Sequence, residues 1–258
     1  MTKLAAIAMN TFRESVRDRV LYNLVLFVLL LVVASIVMGR IAVGQEAKIV
    51  VDVGLSAMTL FGLLISIFLG VGLVSREIEK RTIFLLLSKP IRRWMFLLGK
   101  YAGLCLTLLV NTSVMALAVT LALAYVGGGF EFGQLRVWPA AWLIFLQLSI
   151  LTAVALLFSS FSSPALSALF TLLLFLIGRW SPDMKLFAET SNSALARGVF
   201  RFLYGLLPNL ANFNRIDDVA RGGVISGPVI AWNTIYAAGY IAALVAGAAL
   251  IFERRDFK

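Results

Sequence analysis

The chain is 258 residues long, 61% hydrophobic and only 14% charged, with a formal net charge of +10 and no histidine. A soluble domain carries roughly 45–50% apolar and about 25% charged residues, so a soluble globule is excluded: there are too few polar side chains to cover one. Disordered and collagen-like chains fall to the same numbers, and a mean hydropathy of +0.96 with long uncharged runs puts the sequence among all-α integral membrane proteins.

Residues 1–20 read as an N-terminal amphipathic interfacial helix. Leu4, Ile7, Ala8, Phe12 and Val16 recur at spacings of three and four, with Lys3, Asn10, Arg13, Glu14, Arg17 and Asp18 on the other face. Such a helix lies flat on the inner leaflet, apolar side down. It serves either as a plain anchor for the first span or as a sliding element that moves with the bundle. Residues 21–258 form a six-helix transmembrane domain. About 20 apolar residues cross the hydrocarbon core, which sets the spans at about 21–39, 55–74, 97–126, 139–159, 163–179 and 229–252. The first follows twenty mostly polar or amphipathic residues, and its apolar core is long for a signal peptide, so a retained helix is expected. The fourth and fifth share one uncharged run of 42 residues, Val137 to Gly178, which is about 63 Å of helix and enough for two crossings. Ser159-Ser160-Phe161-Ser162-Ser163-Pro164 supplies the break between them.

Between the second and third spans, loop 75–93 opens with charges of both signs and runs on into the apolar stretch Ile83 to Leu87. That stretch is far too short to cross a membrane and needs a surface to cover it. A short cytoplasmic helix docked in a groove on a partner is expected, against a solvated loop whose charges only set topology. Pro90 then suits the first turn of the next helix. The outer loop, 180–228, is long for a connection without structure of its own. Its apolar segment Val199 to Leu207 stops at Pro208 and Asn209. Short helices that dip into the outer leaflet or cap the bundle are expected there, as a structural lid or as an exit gate.

No Asp, Glu, Lys or Arg lies at a span centre, which argues against a proton relay or ion pump. The polar residues inside the spans are mild: Ser66, Asn111, Thr112, Ser113 and Gln147. They either hydrogen-bond between helices or line a translocation path. Small residues repeat at Gly62, Ser66 and Gly70, and at Ala238, Ala242 and Ala246 beside Gly239, Ala243 and Gly247. Such stripes let helices approach closely, inside the bundle or at a dimer seam.

The catalytic inventory is thin. Gly99-Lys100 lacks the upstream glycine of a Walker A loop, and no Gly-x-Ser-x-Gly elbow occurs. Cys105 is the single cysteine, inside an apolar run. No catalytic residue and no metal site is expected, and the energy for any work must come from elsewhere. The charges flank the spans, which fits topology and anionic lipid headgroups rather than nucleic acid. Fourteen Lys and Arg fall beside one set of span ends and nine beside the other, six of those nine in the long outer loop. The positive-inside rule then makes both termini cytoplasmic.

Six spans, cytoplasmic termini and an amphipathic N-terminal helix resemble the membrane subunit of an ABC-2 type ABC transporter. Arg76-Glu77-Ile78-Glu79-Lys80-Arg81-Thr82, then Leu85-Leu86-Leu87-Ser88-Lys89-Pro90-Ile91, then Gly99-Lys100, is similar to that family's segment between its second and third helices. Arg81 stands where the family commonly has glycine. Leu207-Pro208-Asn209 with Asn212-Phe213 resembles the outer loop of one branch. The resemblance implies a permease in the cytoplasmic (inner) membrane of a bacterium or archaeon, acting as an exporter. It implies a coupling helix seated on a separate ABC ATPase subunit, with ATP and Mg bound there and no cofactor on this chain. A second permease chain in a homodimer is implied, with lipids and an accessory or periplasmic subunit as further partners. By matched position, Glu77, Glu79, Arg81 and Thr82 would make polar contacts with the ATPase, and Leu85, Leu86 and Pro90 would fill or frame its groove. The alternative is a membrane scaffold or assembly factor without a transport cycle.

Overall fold

The computed structural model describes residues 3–15, 26–31, 33–34, 37, 44–79, 93–190 and 193–254. Among these residues the chain is helical, with no strand. α1 spans Lys3–Ser15, α2 Glu46–Glu79, α3 Arg93–Val126, α4 Val137–Ser159 and α5 Pro164–Arg179. α6 spans Ser181–Thr190, α7 Ala194–Leu206, α8 Ile216–Ala220 and α9 Gly227–Arg254. Short 3-10 turns at Phe132–Arg136 and Leu210–Phe213 join them.

Among the described residues, four helices are long and apolar enough to cross a membrane: Glu46–Leu73, Trp94–Val126, Phe132–Ser159 and Gly227–Ile251. The α5–α6 pair, bent by 61°, is either a broken fifth span or a re-entrant loop. The first expected span, 21–39, lies mostly outside the described residues; 26–31 are helical, and Phe27 and Leu31 are buried in the main core. The α4–α5 break falls where serines and proline put it: Ser163 is extended and Pro164 opens α5 without needing an N–H partner. α2 begins nine residues before the expected 55, because a helix does not end where hydropathy does. Lys48 and Asp52 lie exposed on it while Val50, Val51 and Leu55 are buried, and Glu46 sits at its positive N-terminal end. Beyond α3, Gly128 adopts φ +72°, a left-handed turn that glycine makes without strain.

α4 is apolar all round and is the hub of the bundle, with α2, α3, α5 and α9 packed on it. The small residues of α2 seat it there. A Cβ added at Gly62 would collide with Leu148, and one at Gly70 would lie 2.6 Å from the Ala155 Cβ. The stripe Gly62–Ser66–Gly70 is therefore internal. The stripe on α9 differs: Ala238, Gly239, Ala242, Ala243 and Ala246 are exposed on the outside of the bundle.

The bundle has two distinct ends. At one, Leu73, Leu97, Leu156, Val245 and Ala248 cluster. α1 packs beside them on the start of α3, which puts α1 and the C-terminal part of α9 at the same end. At the other, residues 208–226 form a cap whose Leu210, Phe213, Ile216 and Val219 are buried in the main core. The Asn209 N–H donates to the Tyr236 hydroxyl at 2.9 Å, Asn233 Nδ2 to the Asn212 carbonyl at 3.4 Å, and Arg136 Nη1 to the Gly222 carbonyl at 3.4 Å. Beside the cap, α6 and α7 form a hairpin with Phe187 stacked on Phe200 at 6.0 Å. The long loop is thus part cap and part hairpin. Trp138, Trp142 and Trp232 lie in the first two turns of α4 and α9 and Trp180 just past α5, all at this end and exposed, the position amphipathic rings take at an interface.

Candidate functional site

Three places could do work: the α1 end, the middle of the bundle and the cap. At the α1 end, α2 runs past its apolar stretch, which closes at Leu73, and carries Glu77 and Glu79 in its last turns. Arg81, Thr82, Leu85, Leu86 and Pro90 lie outside the described residues, and the expected coupling helix with them.

α1 is seated directly on α3. Gly99 and Gly103 stand one turn apart, and each meets α1 where a side chain would be. A Cβ at Gly99 would lie 2.9 Å from the Ile7 Cβ; one at Gly103 would lie 2.5 Å from the Ala8 carbonyl and 2.7 Å from the Thr11 Cβ. This is the small-xxx-small approach that lets two backbones touch. Thr11 and Ser15, neither on the apolar face read from spacing, are the most buried residues of α1. Their small size lets α1 approach so closely, and the Thr11 hydroxyl satisfies itself on the Ile7 carbonyl at 3.0 Å. The Gly99-x-x-x-Gly103 spacing was the available signal for this seat. A cavity of about 40 Å³ lies beneath it, lined by Thr11, Glu14, Phe68, Leu73, Lys100 and Leu104. The Lys100 ammonium stands 5.0 Å from the centre of the Phe96 ring.

In the middle, the four candidate path residues fall on three helices that pack pairwise: Ser66 on α2, Asn111 and Thr112 on α3, Gln147 on α4. They separate into two kinds. Thr112 donates to the Leu108 carbonyl at 2.8 Å and is satisfied within its own helix. Among the described residues, Ser66 Oγ, both amide atoms of Asn111 and Gln147 Nε2 are buried with no hydrogen-bond partner. Nearby Tyr101 donates to the Ser149 carbonyl at 3.0 Å and ties α3 to α4.

The sequence matches the model of the family described as ABC-2 family transporter protein over residues 5–257, nearly the whole chain. The chain belongs to the ABC-2 family of transporters. Curated proteins yield no match. As an ABC-2 permease it is a membrane transport component rather than a catalyst, of a family that generally works with an ABC ATPase partner. Membership gives the α1 end its interest, because that end holds the charged extension of α2 and the start of α3, which flank loop 80–92.

Proposed function

We propose that this chain is the membrane-spanning permease subunit of an ABC exporter, driven by ATP hydrolysis on a separate ATPase subunit docked at loop 75–93. It crosses the cytoplasmic membrane of a bacterium or archaeon six times, with both termini inside, and works as a homodimer. ATP and Mg belong to the ATPase. The observation that carries the reading is the family match across residues 5–257. The geometry supports it in two ways. α1 lies at one end of the bundle and α2 starts at the other, which is in keeping with a crossing by the expected first span, 21–39, in addition to the four or five apolar spans among the described residues. Glu77 and Glu79 extend α2 beyond its apolar stretch at the end that also carries the last turns of α9, where basic residues concentrate.

The chemistry of the docking is division of labour. Glu77, Glu79, Arg81 and Thr82 offer charge and hydrogen bonds, while Leu85, Leu86 and Pro90 offer an apolar ridge. Motion of the ATPase then moves the end of α2 and the start of α3 together, and α1 follows because it is seated on Gly99 and Gly103. Co-purification of the chain with its ATPase tests this. Glu77→Arg combined with Leu86→Asp is expected to reduce ATPase binding and stimulated hydrolysis by more than about tenfold, a charge reversal and a buried charge being introduced together. Unchanged binding and hydrolysis in the double variant refute the docking assignment and leave the scaffold reading.

A further inference from the structure

Mid-membrane polar atoms without partners are costly, since no water stands by to bond them. Ser66, Asn111 and Gln147 are each at most 1% exposed, and four of their polar atoms are orphaned among the described residues. They also share a depth. α2 and α4 run in the same direction, with Gly62 against Leu148 and Gly70 against Ala155. α3 runs the other way, with Gly54 against Val119. In that register Asn111 and Gln147 both lie level with Gly62, and Ser66 is one turn, about 6 Å, further along. Three adjacent helices thus bring unpaired polar side chains to one level near the middle of their spans.

Their chemistry excludes a mere structural lock. A lock would pair them across helices, as Tyr101 pairs with Ser149. We infer that the α2–α3–α4 seam is closed here at the expense of these hydrogen bonds, and that it opens to water in another conformation of the transport cycle. In that conformation the Asn111 amide, the Gln147 Nε2 and the Ser66 hydroxyl become hydrated, which repays part of the lost packing and lowers the free-energy gap between the two conformations. This rests on the transport reading above and adds where the bundle parts.

The test uses the full chain with its ATPase in membranes, in a Cys105→Ala background. Ser66→Cys, Asn111→Cys and Gln147→Cys are each exposed to a charged, membrane-impermeant thiosulfonate, without nucleotide and after trapping with ATP and vanadate. The inference expects modification at least about tenfold faster in one of the two states at all three positions. Equal, slow modification in both states, in a complex that still hydrolyses ATP, overturns it. Melting of the isolated permease separates this from failure of the ATPase reading. Asn111→Leu removes two unpaired atoms and is expected to raise Tm by about 2–4 °C; an unchanged or lower Tm overturns the inference whether or not any ATPase binds.

Discussion

A glycine inside a helix ordinarily costs about 0.5–1 kcal/mol relative to alanine, so the sign of a Gly→Ala change reports what surrounds it. Gly239 faces open space on α9, and Gly239→Ala is expected to leave thermal stability unchanged or raise it by up to about 1 kcal/mol equivalent. Gly103 meets the backbone of α1, which cannot step aside as a side chain can. Gly103→Ala is expected to destabilise by about 1–3 kcal/mol and to separate α1 from α3, which disulfide or chemical crosslinking between the two helices reads directly. A stabilising Gly103→Ala would mean α1 is not seated there. At the cap, the Tyr236 hydroxyl accepts from the Asn209 N–H at 2.9 Å. Tyr236→Phe keeps the ring and loses that acceptor, at about 0.5–1.5 kcal/mol. Hydrogen exchange at the Asn209 amide should speed up accordingly while the middle of α4 stays protected.

Elements were legible where one physical rule dominated. The α4–α5 break was readable because serines and a proline both oppose helix at the same place, and α3 and α9 were readable because uncharged runs of that length have no soluble use. The start of α2 was not, since Glu46, Lys48 and Asp52 look like loop by hydropathy, yet Glu46 sits at the helix N-terminus and Lys48 and Asp52 share one exposed side. The α1 contact was only partly legible for a related reason: spacing of apolar residues finds Ile7 and Ala8, whereas the seat also needs the small Thr11 on α1 and two glycines on α3, which allow closeness rather than seek oil. Of the site, residue types at positions 66, 111 and 147 were visible, but their lack of partners belongs to packing and has no trace in sequence. The cap was half visible. Leu210, Phe213, Ile216 and Val219 repeat every three residues, a pattern hidden in a loop full of asparagine and charge. Phe213, 1% exposed, is the largest fully buried side chain in that segment. Phe213→Ala should cost about 3–5 kcal/mol locally, and the expected result is hydrogen exchange across 208–226 rising toward that of an open loop with the helices beneath it still protected.

At the scale of the molecule, everything proposed depends on which way the bundle faces. α1 and the last turns of α9 share one end and the cap occupies the other, so one determination orients the whole chain. The distribution of basic residues favours the α1 end inside, fourteen Lys and Arg against nine, and the six in the long outer loop weigh less because that loop has structure of its own. ATP is found inside, so an ATPase can grip loop 80–92 only in that orientation. Two exposed positions read it: Val224 in the cap, 81% exposed, and Asn10 on the outward side of α1. In a Cys105→Ala chain in intact cells, an impermeant maleimide should label Val224→Cys and spare Asn10→Cys, which should react only after the cells are opened. The reverse pattern would turn the molecule over and place the ends of α2 and α3 on the side without ATP. The seam at Ser66, Asn111 and Gln147 would survive that result, being near mid-depth from either face, but the coupling of its opening to ATP would not.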